Sequence, residues 1–73
     1  MPRAKTSTLR LASKRRVLFA VNEGVAPVDA TIEGAELKAG EAKVLGENRV
    51  VKVEAGRLQD RFEPLAAHVY ELP

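Results

Sequence analysis

The sequence predicts an all-β protein, a small antiparallel β-sandwich of about seven short strands. Three observations carry that expectation. Valine is the commonest large apolar residue, at nine copies against one isoleucine and eight leucines, and β-branched side chains lose little on a pleated surface. Short runs of alternating or continuous apolar residues recur along the chain, as half-buried and buried strands do. Gly, Asn or Pro signals separate most of these runs at roughly 8–12-residue spacing, the pattern of a sandwich or small barrel.

Residues 1–6 are polar and Pro-containing, and are expected to form a frayed basic N-terminus. Residues 7–73 then form one domain. Thr8 to Ala12 alternates, with Leu9 and Leu11 on one face, and Ser13-Lys14 is the expected connection. Arg15 to Asn22 follows as a nearly unbroken apolar run, which reads as a central strand covered on both faces. Asn22-Glu23-Gly24 is a turn, because Asn tolerates the left-handed region and Gly enters it freely. Pro27 opens the next strand. There Val28, Ala30 and Ile32 face inward while Asp29, Thr31 and Glu33 face solvent.

Residues 35–45 contain good helix formers, but Ala39-Gly40 would interrupt a helix after one turn. A loop with Leu37 turned inward, then a strand over Ala42 to Leu45, is the expected arrangement. Gly46-Glu47-Asn48 is the next turn and Arg49 to Val53 the strand leaving it. Glu54-Ala55-Gly56 reverses the chain, Gly56 suiting a positive-φ hairpin position. Arg57 to Phe62 alternates with Leu58 and Phe62 on one side, Pro64 breaks pairing, and Leu65 to Leu72 is the last strand.

Composition sets the limits on function. Eleven of the apolar residues are alanine, so the core is thin for 73 residues. A chain of this size buries only about 60% of its unfolded surface, which favours a partner surface or self-association. Cysteine is absent, so disulfides and thiolate metal sites are excluded. No apolar stretch has the length of a signal peptide's core or a membrane-spanning helix, so neither compartment nor membrane contact is indicated.

Residues 1–16 carry +6 through Arg3, Lys5, Arg10, Lys14, Arg15 and Arg16, while residues 17–73 carry −4. A basic segment on an acidic body can mark a nucleic-acid contact. In a compact fold, however, neighbouring acidic strands neutralise it, and few aromatics are available for base stacking.

The side chains able to do chemistry concentrate in the second half. His68 is the one residue whose ordinary pKa lies near neutrality, but the chain has no second histidine, and Ser7 and Ser13 have no nucleophile context. One histidine with scattered carboxylates gives no metal-ligand spacing. Asp60 and Glu63 bracket Phe62 and are expected to diverge, either capping backbone or pairing with Arg49, Arg57 or Arg61. Glu47, Asn48 and Arg49 sit where a hairpin turn is needed. With no Trp and one Tyr, a sugar-stacking platform is not indicated. No catalytic residue, cofactor or metal is expected.

One resemblance can be drawn from these residues. Glu47-x-Arg49, the Val-rich strand after it, Gly56, Asp60-x-Phe62-x-Pro64-Leu65 and His68-Val69-Tyr70 together resemble the terminal β-sandwich of many bacterial glycoside hydrolases. Val17 to Val21 with Asn22, a polar turn and the strand after Pro27 agree with the opening of such domains. The match spans about residues 9–72 and is strongest over 47–72. In that family the sandwich packs on a (β/α)8 catalytic barrel as a non-catalytic accessory. The resemblance therefore implies structural roles: Asp60 capping the turn before Pro64, Phe62 and Tyr70 filling the core or the packed face, and His68 in the closing strand. Here the chain starts at Met1 without a barrel. The resemblance then implies a module, excised or standing alone, that acts by protein–protein packing or homodimerisation, with Phe62 and Tyr70 as interface candidates. A nucleic-acid binder using the basic segment and a carbohydrate-binding module are the alternatives.

Overall fold

The computed structural model describes residues 2–73, and every regular element among them is a β-strand. The eight strands are β1 (Arg3–Ala4), β2 (Leu9–Lys14), β3 (Val17–Asn22), β4 (Val28–Glu33), β5 (Gly40–Val44), β6 (Arg49–Glu54), β7 (Arg57–Phe62) and β8 (Ala67–Glu71). All pair antiparallel in one sheet of order β1-β4-β7-β6-β5-β8-β3-β2. The two ends of that order, β1 and β2, are consecutive in sequence. The short link between them brings the edges together, so the sheet curls into a nearly closed barrel.

The expected all-β class, the inward positions of β4 and β7 and the buried Leu37 all appear. Four differences have physical reasons. Arg3–Ala4, within the segment expected to fray, forms β1 against Ile32 and Glu33, and Pro2 beside it is buried; Met1 lies outside the described residues. The β2–β3 turn is Arg15-Arg16, two residues later than expected, because β2 runs on to pair Lys14 with Val17. The last strand begins at Ala67 rather than Leu65, since Pro64-Leu65 turns the chain there and Leu65 takes a positive φ of 60°. Finally, β3 is covered on its inner side only: Leu18, Ala20 and Asn22 are buried, while Phe19 points out and is 45% exposed.

The barrel interior is built by strand parity. Leu18, Ile32, Val53, Leu58, Phe62 and Tyr70 are fully buried or nearly so, and partly buried Leu9, Leu11, Val28 and Val51 pack against them. Three inward alanines make room for the larger rings. Ala20 is register partner to His68, Ala30 to Asp60 and Ala42 to Val51, and each is 3% exposed or less.

Two ladders between the longer strands are short, β5–β8 and β6–β7, with two register pairs each. The β6–β7 hairpin pairs only Val53↔Leu58 and Glu54↔Arg57, although each strand pairs at length with its other neighbour. Beyond Val53 and Leu58 the two strands part. The polar residues described next lie at that opening.

Candidate functional site

Parity on three strands turns polar side chains into the barrel at the end where β6 and β7 separate. On β7 the inward positions are Leu58, Asp60 and Phe62, so Asp60 is carried inside by its apolar neighbours. On β8 they are His68 and Tyr70. On β6, Arg49 shares the inward side of Val51 and Val53. The turn ahead of β6 supplies Glu47, with Asn48 at φ 53° completing the reversal.

These residues form a closed network. Arg49 grips Asp60 with both terminal nitrogens, Nη1 to Oδ1 at 3.2 Å and Nη2 to Oδ2 at 2.9 Å, and its Nε donates to Glu47 Oε1 at 2.9 Å. The Tyr70 hydroxyl donates to Asp60 Oδ2 at 2.7 Å. His68 Nδ1 lies 3.1 Å from both Tyr70 Oη and Asp60 Oδ2, and its Nε2 lies 3.4 Å from Glu47 Oε2. The Phe62 ring stacks on the imidazole at 4.2 Å between centroids. Asp60 Oδ1 also accepts the Arg61 backbone N–H at 2.8 Å. In antiparallel pairing the 57-59-61 side of β7 faces β6, so a carboxylate here takes the place of the missing strand partner.

Burial shapes the electrostatics. Burial alone would push the Asp60 carboxyl up, but the bonds from Arg49, Tyr70 and the Arg61 N–H outweigh it and hold the group below the usual carboxylate range. For Tyr70 burial comes first and the Asp60 carboxylate second, and both push the phenol well above its ordinary value. The bonds to Asp60 and then to Glu47 raise the Arg49 guanidinium further. Asp60 is therefore an anion and Tyr70 a neutral donor throughout the physiological range.

Among the residues singled out from sequence, Glu47, Arg49, Asp60, Phe62, His68 and Tyr70 are brought together. Glu63 is not: it points outward to Arg61, at 3.0 Å, while Arg61 also reaches Asp29. Asp60 does not cap the turn before Pro64. That role falls to Asn22, fully buried, whose Nδ2 donates to the carbonyls of Glu63 and Ala26 and whose Oδ1 accepts the Gly24 N–H. Phe62 and Tyr70, expected as interface candidates, are both 0% exposed and belong to the core. Gly56 takes its positive φ of 71° in the β6–β7 turn as expected.

The network's hydrogen-bonding groups are spent on one another. Asp60 and Tyr70 hold their partners inside the barrel, while the Arg49 and Glu47 side chains pair at its mouth, 35% and 39% exposed, and no group of three or more potential metal ligands occurs among the described residues. What the arrangement does is tie β6, β7, β8 and the β5–β6 turn together where backbone pairing stops.

Sequence reasoning missed a second feature, on the outside. The outward side of β3 is Val17, Phe19 and Val21. Across the ladders Phe19 sits beside Ala12 and Val69, and Val21 beside Ala67. Leu45, bonded through its N–H to the Val69 carbonyl, extends the row, and Val50 lies diagonal to it through the Lys43↔Val50 pair. Leu45 and Val50 are 48% and 51% exposed. The result is an apolar row over β2, β3 and β8 that continues through the β5–β6 turn to the start of β6. Its signal in the sequence was the lack of alternation in Val17–Val21.

Comparison with known protein families, with characterised proteins and with solved structures returned no match.

Proposed function

We propose that this chain is a non-catalytic β module that works by packing the outer face of β3 and β8 against another protein or a second copy of itself. The observation that carries this is the patch centred on Phe19 and Val69. Its strand has the composition of one covered on both sides, yet the fold covers only one. Exposed apolar area of this kind marks interaction surfaces. The resemblance to glycoside hydrolase accessory sandwiches supports the same reading, since such modules act by packing. The polar network adds support from the opposite direction, because a site whose donors and acceptors are consumed internally offers a substrate little to bind.

The alternatives draw less support. Within the basic segment Arg10 faces Glu23 at 3.0 Å, Lys5 faces Glu33 at 3.8 Å and Arg16 donates to the Leu72 carbonyl. A nucleic acid would meet a partly neutralised surface. Sugar binding wants an exposed aromatic face, and both Tyr70 and Phe62 are interior.

The test is sedimentation of the isolated chain over a dilution series, beside Phe19→Lys and Val69→Lys variants. The reading expects a mass above the monomer that falls on dilution and reverts to monomer in both variants with the fold intact by circular dichroism. A wild type that stays monomeric at every concentration would remove the self-association reading and leave only a different protein as partner, and variants that associate as the wild type does would overturn the patch as the docking face.

A further inference from the structure

The polar network contains a closed cycle of four groups that alternate in sign when the histidine is protonated: Arg49, Asp60, His68 and Glu47. Arg49 bridges the two carboxylates on one side, and the imidazole bridges them on the other, Nδ1 toward Asp60 and Nε2 toward Glu47. The Tyr70 proton is committed to Asp60, so Tyr70 Oη offers His68 only an acceptor. Both ring nitrogens therefore face acceptors alone. A neutral imidazole carries one N–H and can satisfy one side. A charged ring satisfies both.

We propose that the His68–Glu47 contact is a proton-dependent latch on the β5–β6 turn. With the ring charged, the imidazolium attracts the Glu47 carboxylate 3.4 Å from Nε2 and the turn is fastened to β8. With the ring neutral, Nδ1–H remains on the buried Asp60–Tyr70 side and the half-exposed Glu47 is released to solvent. The surroundings leave few other partners for the proton. On its own strand His68 faces Tyr70, from β7 it meets Asp60 and the apolar Phe62 ring, and from β6 Arg49 stands behind the carboxylates. The paired strand β3 contributes no titratable group, since its inward residues are Leu18, Ala20 and Asn22, whose amide is committed elsewhere.

The latched turn also carries Leu45, with Val50 just beyond it, and so one margin of the outer apolar patch. The latch itself stands apart from the patch reading. Its consequence, proton-linked shaping of the docking face, rests on that reading.

The experiment is an NMR pH titration of the full chain across the imidazole transition, following the His68 ring nitrogens and the exchange of the Leu45 amide, which is bonded to Val69 O. Loss of the ring proton is expected to move the Gly46–Arg49 amide shifts and to speed Leu45 exchange about threefold beyond the base-catalysed rise that unlatched amides show over the same pH range, the scale of one part-exposed ion pair. Glu47→Gln is expected to leave the ring titrating while the turn no longer responds. Turn signals that stay constant through the wild-type transition would overturn the latch, as would a turn that responds identically in Glu47→Gln. A patch that proves not to bind anything would leave these signals unaltered, so the two readings fail separately.

Discussion

Asp60 decides how the second half of the chain is held. It accepts two bonds from Arg49, one from Tyr70 and one from the Arg61 backbone, and removing its charge leaves a guanidinium facing a neutral amide. Asp60→Asn is expected to cost about 2–3 kcal/mol of folding stability by chemical denaturation, and Tyr70→Phe about 1–2 kcal/mol. The pH profile follows from the same two groups. The Asp60 pKa is lowered in the folded state, so its stabilisation is present above the unfolded carboxylate value of about 4 and is lost as pH falls below it. The Tyr70 pKa is raised, so its contribution is present below about 10 and is lost as pH rises beyond that. Stability measured against pH should fall on both flanks, with Asp60→Asn flattening the acid limb and Tyr70→Phe the alkaline one. An unchanged acid limb in Asp60→Asn would contradict this role. The sequence offered Arg49 as one partner for Asp60, as the structure has it, but not the burial of Asp60 beside Tyr70 and His68. Asp60 shares a parity with Leu58 and Phe62, which puts it inside, whereas its type suggests the surface. Arg49 shares the parity of Val51 and Val53, yet a turn-flanking arginine reads as solvated.

At the scale of elements, β4 and β7 were legible because alternation and turn residues agreed, whereas β5 runs Gly40–Val44 where a strand over Ala42 to Leu45 was expected. The strand β3 was legible as a strand, but its surroundings were not. A continuous apolar run says that both faces avoid water without saying whether this chain or another covers the second. The β2–β3 turn was misjudged because Ser13-Lys14 has better turn chemistry than Arg15-Arg16. Register decided otherwise: ending β2 at Ala12 would forfeit the Ser13↔Leu18 and Lys14↔Val17 pairs. The fold accepts a positive φ of 58° at Arg15 in return. A similar compromise occupies the β6–β7 turn, where Ala55 stands at φ 52° before Gly56. The left-handed region costs an L-residue with a Cβ about 1–2 kcal/mol, and Asn tolerates it better. Ala55→Asn creates the preferred Asn-Gly hairpin pair and should raise stability by about 0.5–1 kcal/mol, read as a higher denaturation midpoint at unchanged slope. A lower midpoint would show that the turn is not what limits this hairpin.

Across the whole molecule, an interior network and an exterior patch divide the work. Backbone pairing is short between β6 and β7 and between β5 and β8, and at the β6–β7 opening charged side chains substitute for the ladder. Asp60, His68 and Tyr70 bond to one another there, and the proposed docking face is the outer side of β3 and β8. With so many alanines among its apolar residues, the chain has few large side chains to spare, and Phe19, Val69, Leu45 and Val50 lie together outside the core. The most direct measurement is a concentration series of amide correlation spectra on the isolated chain. The account predicts that signals of Val17–Val21, Leu45, Val50 and Ala67–Val69 shift progressively with concentration, while the Asp60 and Tyr70 amides stay fixed. Changes centred on the Asp60–Tyr70 network would contradict it, and spectra that do not change with concentration would contradict its self-association form.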